Sequence, residues 1–305
     1  MRIDELPRSD NVEDRRGGGG GWGGFPPPRA GHLGMGTIII LVIAGWALGI
    51  NPLYLIGGAE ILSGLRGGSQ QQQTQAPPST GAETPSDQMG KFVAGVLGST
   101  EAVWKDIFAR AGKTYEPPTL VMFSGGTRSG CGIAQSAMGP FYCPLDRKVY
   151  LDTSFFDDLQ RRFHGCEVGS KSCEFSEAYV ITHEVGHHVQ NLLGILPRVQ
   201  EAQRGMDQVE ANQLQVRVEL QADCFAGVWA HHAEEKWRLL EPGDIEAALQ
   251  TASAIGDDRL QRRSQGYVVP DAFTHGSSEQ RVRWFTAGLK NGAVSACNTF
   301  GEPAA

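Results

Sequence analysis

Apolar and polar positions recur along this chain with periods that divide it into unlike stretches. From Thr37 to Gly57 about 20 residues pass without a charge, the length a helix needs to cross a bilayer. Phe92, Val96, Val103, Trp104, Ile107 and Phe108 then recur at helical spacing, predicting an amphipathic helix that ends near Arg110. Two short β-rich runs follow, Thr119–Phe123 and Lys148–Asp152, joined by a Gly- and Ser-containing loop over 124–140. Thr153 is placed to cap a helix from Ser154 to Phe163. Val180, Ile181, Val185, Val189 and Leu192 form a further apolar stripe, which Gly194 can close. A second strongly apolar helical pattern surrounds Leu220 and Phe225 and is expected to reach Trp237. Pro242 stands near the first turn of another helix, and Ser277-Ser-Glu-Gln280 reads as a capping box opening the last one. The fold class expected over residues 89–305 is α+β, helix-rich, with a small sheet beside the central helix and no repeats.

The stretches before residue 89 read differently. Residues 1–36 mix arginines and acidic residues with Gly17–Gly21 and Pro26–Pro28, too little apolar surface to fold alone, so a disordered tail is expected. Residues 58–88, rich in Gln, Pro, Ser and Thr, read as a flexible linker. Arg15, Arg16 and Arg29 precede the uncharged run, whereas only Arg66 follows nearby. The bias toward positive charge on the inner side therefore predicts a single-pass protein held in the lipid bilayer through residues 37–57. Its N-terminus would be cytoplasmic and its folded domain periplasmic or extracellular.

A net charge of −7 over 305 residues argues against nucleic acid as a partner, and no pattern sets an oligomeric state. Cys131, Cys143, Cys166, Cys173, Cys224 and Cys297 all fall within the predicted outer domain, where an even count suits disulfides. Nearness in sequence suggests Cys131–Cys143 and Cys166–Cys173, leaving Cys224–Cys297. Fifteen connectivities are formally open, as is the survival of some cysteines as buried thiols.

The chemistry concentrates in His183-Glu184-Val185-Gly186-His187. Residues four apart stack on one helical face, so His183 and His187 can reach one metal ion, with Glu184 beside them as a base toward water. Two histidines and a glutamate within an apolar helix would be costly to bury without a metal to satisfy them. Downstream, Glu219 and Asp223 are also four apart. Glu219 can complete a His2Glu zinc site with an open fourth position, and Asp223 can accept the spare ring N–H of a ligand histidine. His188, His231 and His232 need no function on this reading, the last two resembling a solvated helix turn.

His-Glu-x-x-His followed by Glu-x-x-Ala-Asp resembles the gluzincin zinc peptidases. Phe273-Thr-His-Gly-Ser-Ser-Glu-Gln-Arg281 is similar to the Thr-His-Pro…Arg element of integral-membrane gluzincins, with Gly276 in place of the proline. From Arg8–Arg16 to Arg281–Phe285 the chain resembles the bacterial neutral zinc metallopeptidase family. The resemblance implies a zincin-like domain that binds Zn2+; a substrate class does not follow from it, and protein or peptide is the substrate expected from the zinc-peptidase motif. The resemblance also implies His275 as a donor to the tetrahedral oxyanion, with Arg281 positioning it or pairing nearby. Glu184 would take the proton as water attacks and pass it to the leaving amine. Lys148–Asp152 is the strand expected to pair with extended substrate. Two other classes stay open: a zinc hydrolase of a non-peptide amide or ester, and a catalytically silent tethered binding module.

Overall fold

The computed structural model describes residues 1–16, 86–135, 139–161 and 173–301. A four-stranded mixed sheet is built from β1 (Val12–Asp14), β2 (Thr119–Phe123), β5 (Phe141–Cys143) and β6 (Lys148–Asp152), in the order β1-β2-β6-β5. β1 runs parallel to β2 and β2 parallel to β6, with Val12 opposite Leu120 and Val121 opposite Tyr150; β5 closes the sheet antiparallel to β6. Between β2 and β5 the chain forms a separate hairpin, β3 (Gly126–Ser129) and β4 (Gly132–Gln135). The two β-rich runs seen in the sequence are β2 and β6, and the result is a helix-rich α+β fold. One expectation is corrected here. Lys148–Asp152 pairs with β2 along its whole length and with β5 over Lys148–Tyr150, so β5 and not β6 is the outer strand of the described sheet.

The helices follow the apolar stripes. α1 (Gln88–Arg110) is capped by Asp87, whose carboxylate accepts the Gly90 N–H at 2.8 Å. α2 (Ser154–Arg161) follows β6. α3 (Cys173–Leu192), which carries His183 and His187, is buried along nearly its whole length. α4 (Ile195–Gln203) follows the left-handed Gly194, φ 72°. α5 (Gln208–Trp237) carries Glu219 and Asp223. α6 (Asp244–Ala254), α7 (Asp257–Gln265) and α8 (Ser278–Asn291) complete the set, and both bonds of the Ser277/Gln280 capping box are made.

Small residues let α3 and α5 meet closely. A Cβ at Gly186 would stand 3.0 Å from the Ala222 carbonyl oxygen. Gly227 of α5 and Gly288 of α8 likewise leave no room for a side chain between the two backbones. Disulfides join Cys131 to Cys143 and Cys224 to Cys297. The second ties α5 to the 3-10 turn Val294–Cys297. Cys173 is also disulfide-bonded, and Cys166, the partner expected for it, lies outside the described residues.

Residues 1–16 depart from the disordered tail expected over 1–36, while residues 17–36, and 58–85 of the expected linker, lie outside the described residues. Met1, Leu6 and Val12 enter the main apolar core. Ser9 donates its N–H to the Ala94 carbonyl, and its hydroxyl and the Asn11 side chain both bond Glu101. Gly98 has no Cβ where the backbone of Pro7 to Ser9 crosses α1. Strand β1 then joins the sheet through β2. The single-pass topology is corrected by the same pairing. A chain that crossed a bilayer once between residues 16 and 88 would put β1 and β2 on opposite sides of it, yet they share one sheet. The expected span itself, 37–57, lies outside the described residues, and among those described no helix is long and apolar enough to cross a membrane.

Candidate active site

α3 and α5 cross with Gly186 against Ala222, and the turns beside that crossing bring His183, His187 and Glu219 together. Glu219 Oε2 stands 3.2 Å from His183 Nε2 and 3.5 Å from His187 Nε2. The two imidazoles are nearly perpendicular, at 87°, with ring centroids 4.8 Å apart.

Each ring is oriented by what it holds on its other side. Asp223 Oδ1 accepts from His183 Nδ1 at 2.8 Å, which turns Nε2 toward Glu219 as the nitrogen a metal would take. His187 Nδ1 donates to Gln190 Oε1 at 2.9 Å. The Gln190 amide is itself oriented by giving its N–H groups to the Val218 carbonyl and to Gln221. Gln215 donates to the second oxygen of Glu219 at 2.9 Å. Ligands 2.0–2.1 Å from a tetrahedral zinc lie about 3.4 Å from one another. The two observed separations and the fixed ring orientations fit that ion. Gln190 and Gln215 were not read from the sequence. Gln190 stands three residues after His187 on the same helical face, and Gln215 four before Glu219, so helical spacing is a signal that could have found both.

Behind the ligands lies a charged network in the core. Arg281 Nε donates to Asp223 Oδ2 at 2.9 Å and its terminal nitrogen to Oδ1 at 2.9 Å, a two-pronged pair. Tyr179 gives its hydroxyl to Asp223 Oδ1 and accepts from Arg281 at 3.1 Å. Burial pushes the Asp223 carboxyl up, but Arg281 and His183 outweigh it and hold it at about 2. Burial likewise opposes charge on His183, yet Asp223 and Glu219 raise it to about 10. Asp223 therefore stays ionised although fully buried. Arg281 contacts Asp223 and Tyr179, not His275 as one reading of the resemblance implied.

A cavity of about 480 Å3 opens over this group. Glu184 lines it beside the two histidines, and burial raises its carboxyl above the usual range. The rest of the wall comes from Gly139, Pro140, Phe141 and Tyr142 around β5, from Leu196 and Val199 of α4, and from His275. Residues 136–138 of the expected loop wall lie outside the described residues. Strand β5 is the sheet edge beside the cavity, the place the sequence reading gave to β6. His188 holds that edge: its ring bonds Tyr142 Oη at 3.1 Å and donates from Nε2 to the Glu116 carbonyl at 2.6 Å, while Asn191 donates to Tyr142 Oη at 2.9 Å.

His275 stands at the rim, its side chain half exposed, with Nδ1 3.2 Å from Asp257 Oδ1. The other Asp257 oxygen accepts the successive N–H groups of Thr274, His275 and Gly276. Gly276 has φ 95°, which a proline ring, fixed near −65°, cannot adopt. The departure from Thr-His-Pro thus accompanies a different backbone path at that position.

A family model described as "Putative neutral zinc metallopeptidase" matches residues 1–300, and the chain belongs to that family. It is 48% identical to the Escherichia coli K12 protein named "Uncharacterized protein YpfJ", over 99% of each chain. It is 45% identical to the Mycobacterium tuberculosis H37Rv protein named "Uncharacterized protein Rv2575", over 66% of this chain and 67% of that one. No solved structure matches.

Proposed function

We propose that this member of the neutral zinc metallopeptidase family is a zinc-dependent endopeptidase that cuts extended segments of protein or peptide. The observation that carries the reading is the placing of Glu184 in the cavity wall directly beside a convergent His183–His187–Glu219 group, with a free sheet edge at the same opening. A metal site that served only to hold the fold would not need an acid–base group and an open cleft at its ligands.

His183, His187 and Glu219 would hold the ion, and zinc bound there supplies Lewis acidity toward water and a carbonyl. The chain's own groups do the rest. Asp223 and Gln190 hold the two imidazoles in register. Extended substrate pairs with the outer edge of β5, which His188 and Asn191 fix through Tyr142. Glu184 takes the proton from the attacking water and returns it to the leaving nitrogen, so the scissile amide departs as a neutral amine. His275, which Asp257 holds toward the protonated form by accepting from Nδ1, donates from Nε2 to the oxyanion.

The test uses the full-length protein, because residues 1–16 belong to the fold. An unfolded protein is incubated with it, with and without a zinc chelator, and fragments are read by mass spectrometry. Internal cleavage that the chelator stops and added zinc restores is the expected result. Absence of any cleavage by the zinc-loaded protein, with hydrolysis of small esters or non-peptide amides instead, would overturn the endopeptidase reading.

A further inference from the structure

A second His–His–Glu group sits far along α5, and nothing in the proposed reaction uses it. His231, His232 and Glu235 present ligand atoms within 4.8 Å of one another. His231 Nε2 lies 3.5 Å from Glu235 Oε1, and His232 Nδ1 lies 3.1 Å from Glu235 Oε2. Each imidazole faces its own oxygen of the one carboxylate, at distances near the ligand spacing of about 3.4 Å in a tetrahedral site.

What each ring does with its other nitrogen decides the chemistry. His231 Nδ1 lies 2.8 Å from the Leu289 carbonyl, and His232 Nε2 lies 2.8 Å from the Gly292 carbonyl. A carbonyl only accepts, so each ring spends an N–H on it. In the neutral rings this leaves two lone pairs facing one carboxylate, three acceptors with no donor among them. A cation relieves that arrangement. The rings are also fixed in advance: Gly292, the left-handed cap of α8 at φ 63°, has no Cβ, and a Cβ there would collide with the His231 ring. Carbonyls on the far ring nitrogens orient metal-bound histidines in the same way that carboxylates do.

We propose that His231, His232 and Glu235 bind a second divalent transition-metal ion, of the zinc class, that clamps α5 to the C-terminal end of α8. Two imidazoles and a carboxylate suit zinc, nickel or copper rather than magnesium or calcium. The rings carrying the site are anchored to the Leu289 and Gly292 carbonyls, so its role is to hold the two helices. It stands independently of the endopeptidase reading.

The experiment is a zinc titration of chelator-treated full-length protein by calorimetry, paired with thermal unfolding. Wild type is expected to take up two equivalents, Glu219→Ala only the one at His231, His232 and Glu235, and Glu235→Gln only the one at the cleft. Glu235 is 61% exposed, so its replacement leaves the packing intact. In the Glu219→Ala background, zinc should raise the unfolding temperature, and adding Glu235→Gln should weaken that binding at least about tenfold. A single equivalent in wild type, or a Glu219→Ala protein whose unfolding zinc does not shift, would overturn the proposal. A purely structural His231–His232 staple gives that second outcome, since its carbonyl bonds form without metal.

Discussion

Among the described residues two His–His–Glu groups offer a metal site, and α5 contributes to both. At the cleft, one oxygen of Glu219 stands 3.2 and 3.5 Å from its two imidazoles; near the other end of the helix, the two oxygens of Glu235 stand 3.1 and 3.5 Å from one imidazole each. The distances are alike, and only the cleft converges on a single oxygen. Their surroundings differ more. The cleft group draws on two helices, is buried, and has its rings held by side chains, Asp223 and Gln190. It also has Glu184, a cavity and a sheet edge. The distal group draws on one helix, is half exposed, and has its rings held by backbone carbonyls. Donor geometry makes a place for a cation, and only the groups around it decide whether chemistry can follow.

The largest effect expected from breaking this contrast is at Glu184. Glu184→Gln should keep zinc and keep the unfolding temperature, yet lower turnover by about 10²–10⁴ or more, since an amide cannot carry the proton. Peptide cleavage and metal content measured on one preparation check both halves. A variant that cleaves at the wild-type rate would take the proton transfer away from Glu184.

His275→Ala comes next. Losing one oxyanion donor should lower kcat about 10²–10³-fold, with KM changed far less. Because His275 is at the rim, zinc content and stability should be unchanged, and loss of metal in this variant would make it a ligand or structural residue.

Asp223→Asn tests the support behind the ligands. It should weaken zinc about 10–100-fold by loosening His183. It also leaves Arg281 buried against a neutral partner, a loss of order 3–5 kcal/mol when one member of such a pair is removed. Denaturant titration with and without zinc separates the two effects. No single substitution can do the same at the distal group, where carbonyls play the part.

The smallest effect is expected from Tyr142→Phe. It removes the hydroxyl that links His188 and Asn191 to β5, costing about 0.5–1.5 kcal/mol of stability. If β5 is the strand that substrate joins, KM should rise a few-fold while kcat holds. A change in kcat alone would take Tyr142 out of substrate pairing.

The sequence made the ligand group legible because helical spacing is strict. His183, His187, Glu219 and Asp223 each fall where a turn of helix demands, and the two five-residue strands announced themselves by composition. Other features had no such signal. β5 has three residues, too few to show an alternation, so the edge went to β6 instead. Asp257 supports His275 from another element, which no spacing reveals. The first sixteen residues looked like a tail because few of them are apolar. They are held largely by backbone pairing to β2 and α1 and by the Ser9–Asn11–Glu101 bonds, which composition does not report. His231 and His232 passed for solvated histidines since the carbonyls that fix them belong to α8 and its cap.

The place of β1 also bears on how the protein is made. Val12 leaves the ribosome well ahead of its partner Leu120, which follows only after all of the chain between them has been synthesised. Strand β1 must therefore wait, unpaired, for the sheet it joins. Closing so long a loop is slow next to local helix formation, so docking of residues 1–16 belongs among the late events of folding. A nascent chain halted before β2 would display Leu6 and Val12 to any chaperone in reach, and a finished one would have withdrawn both.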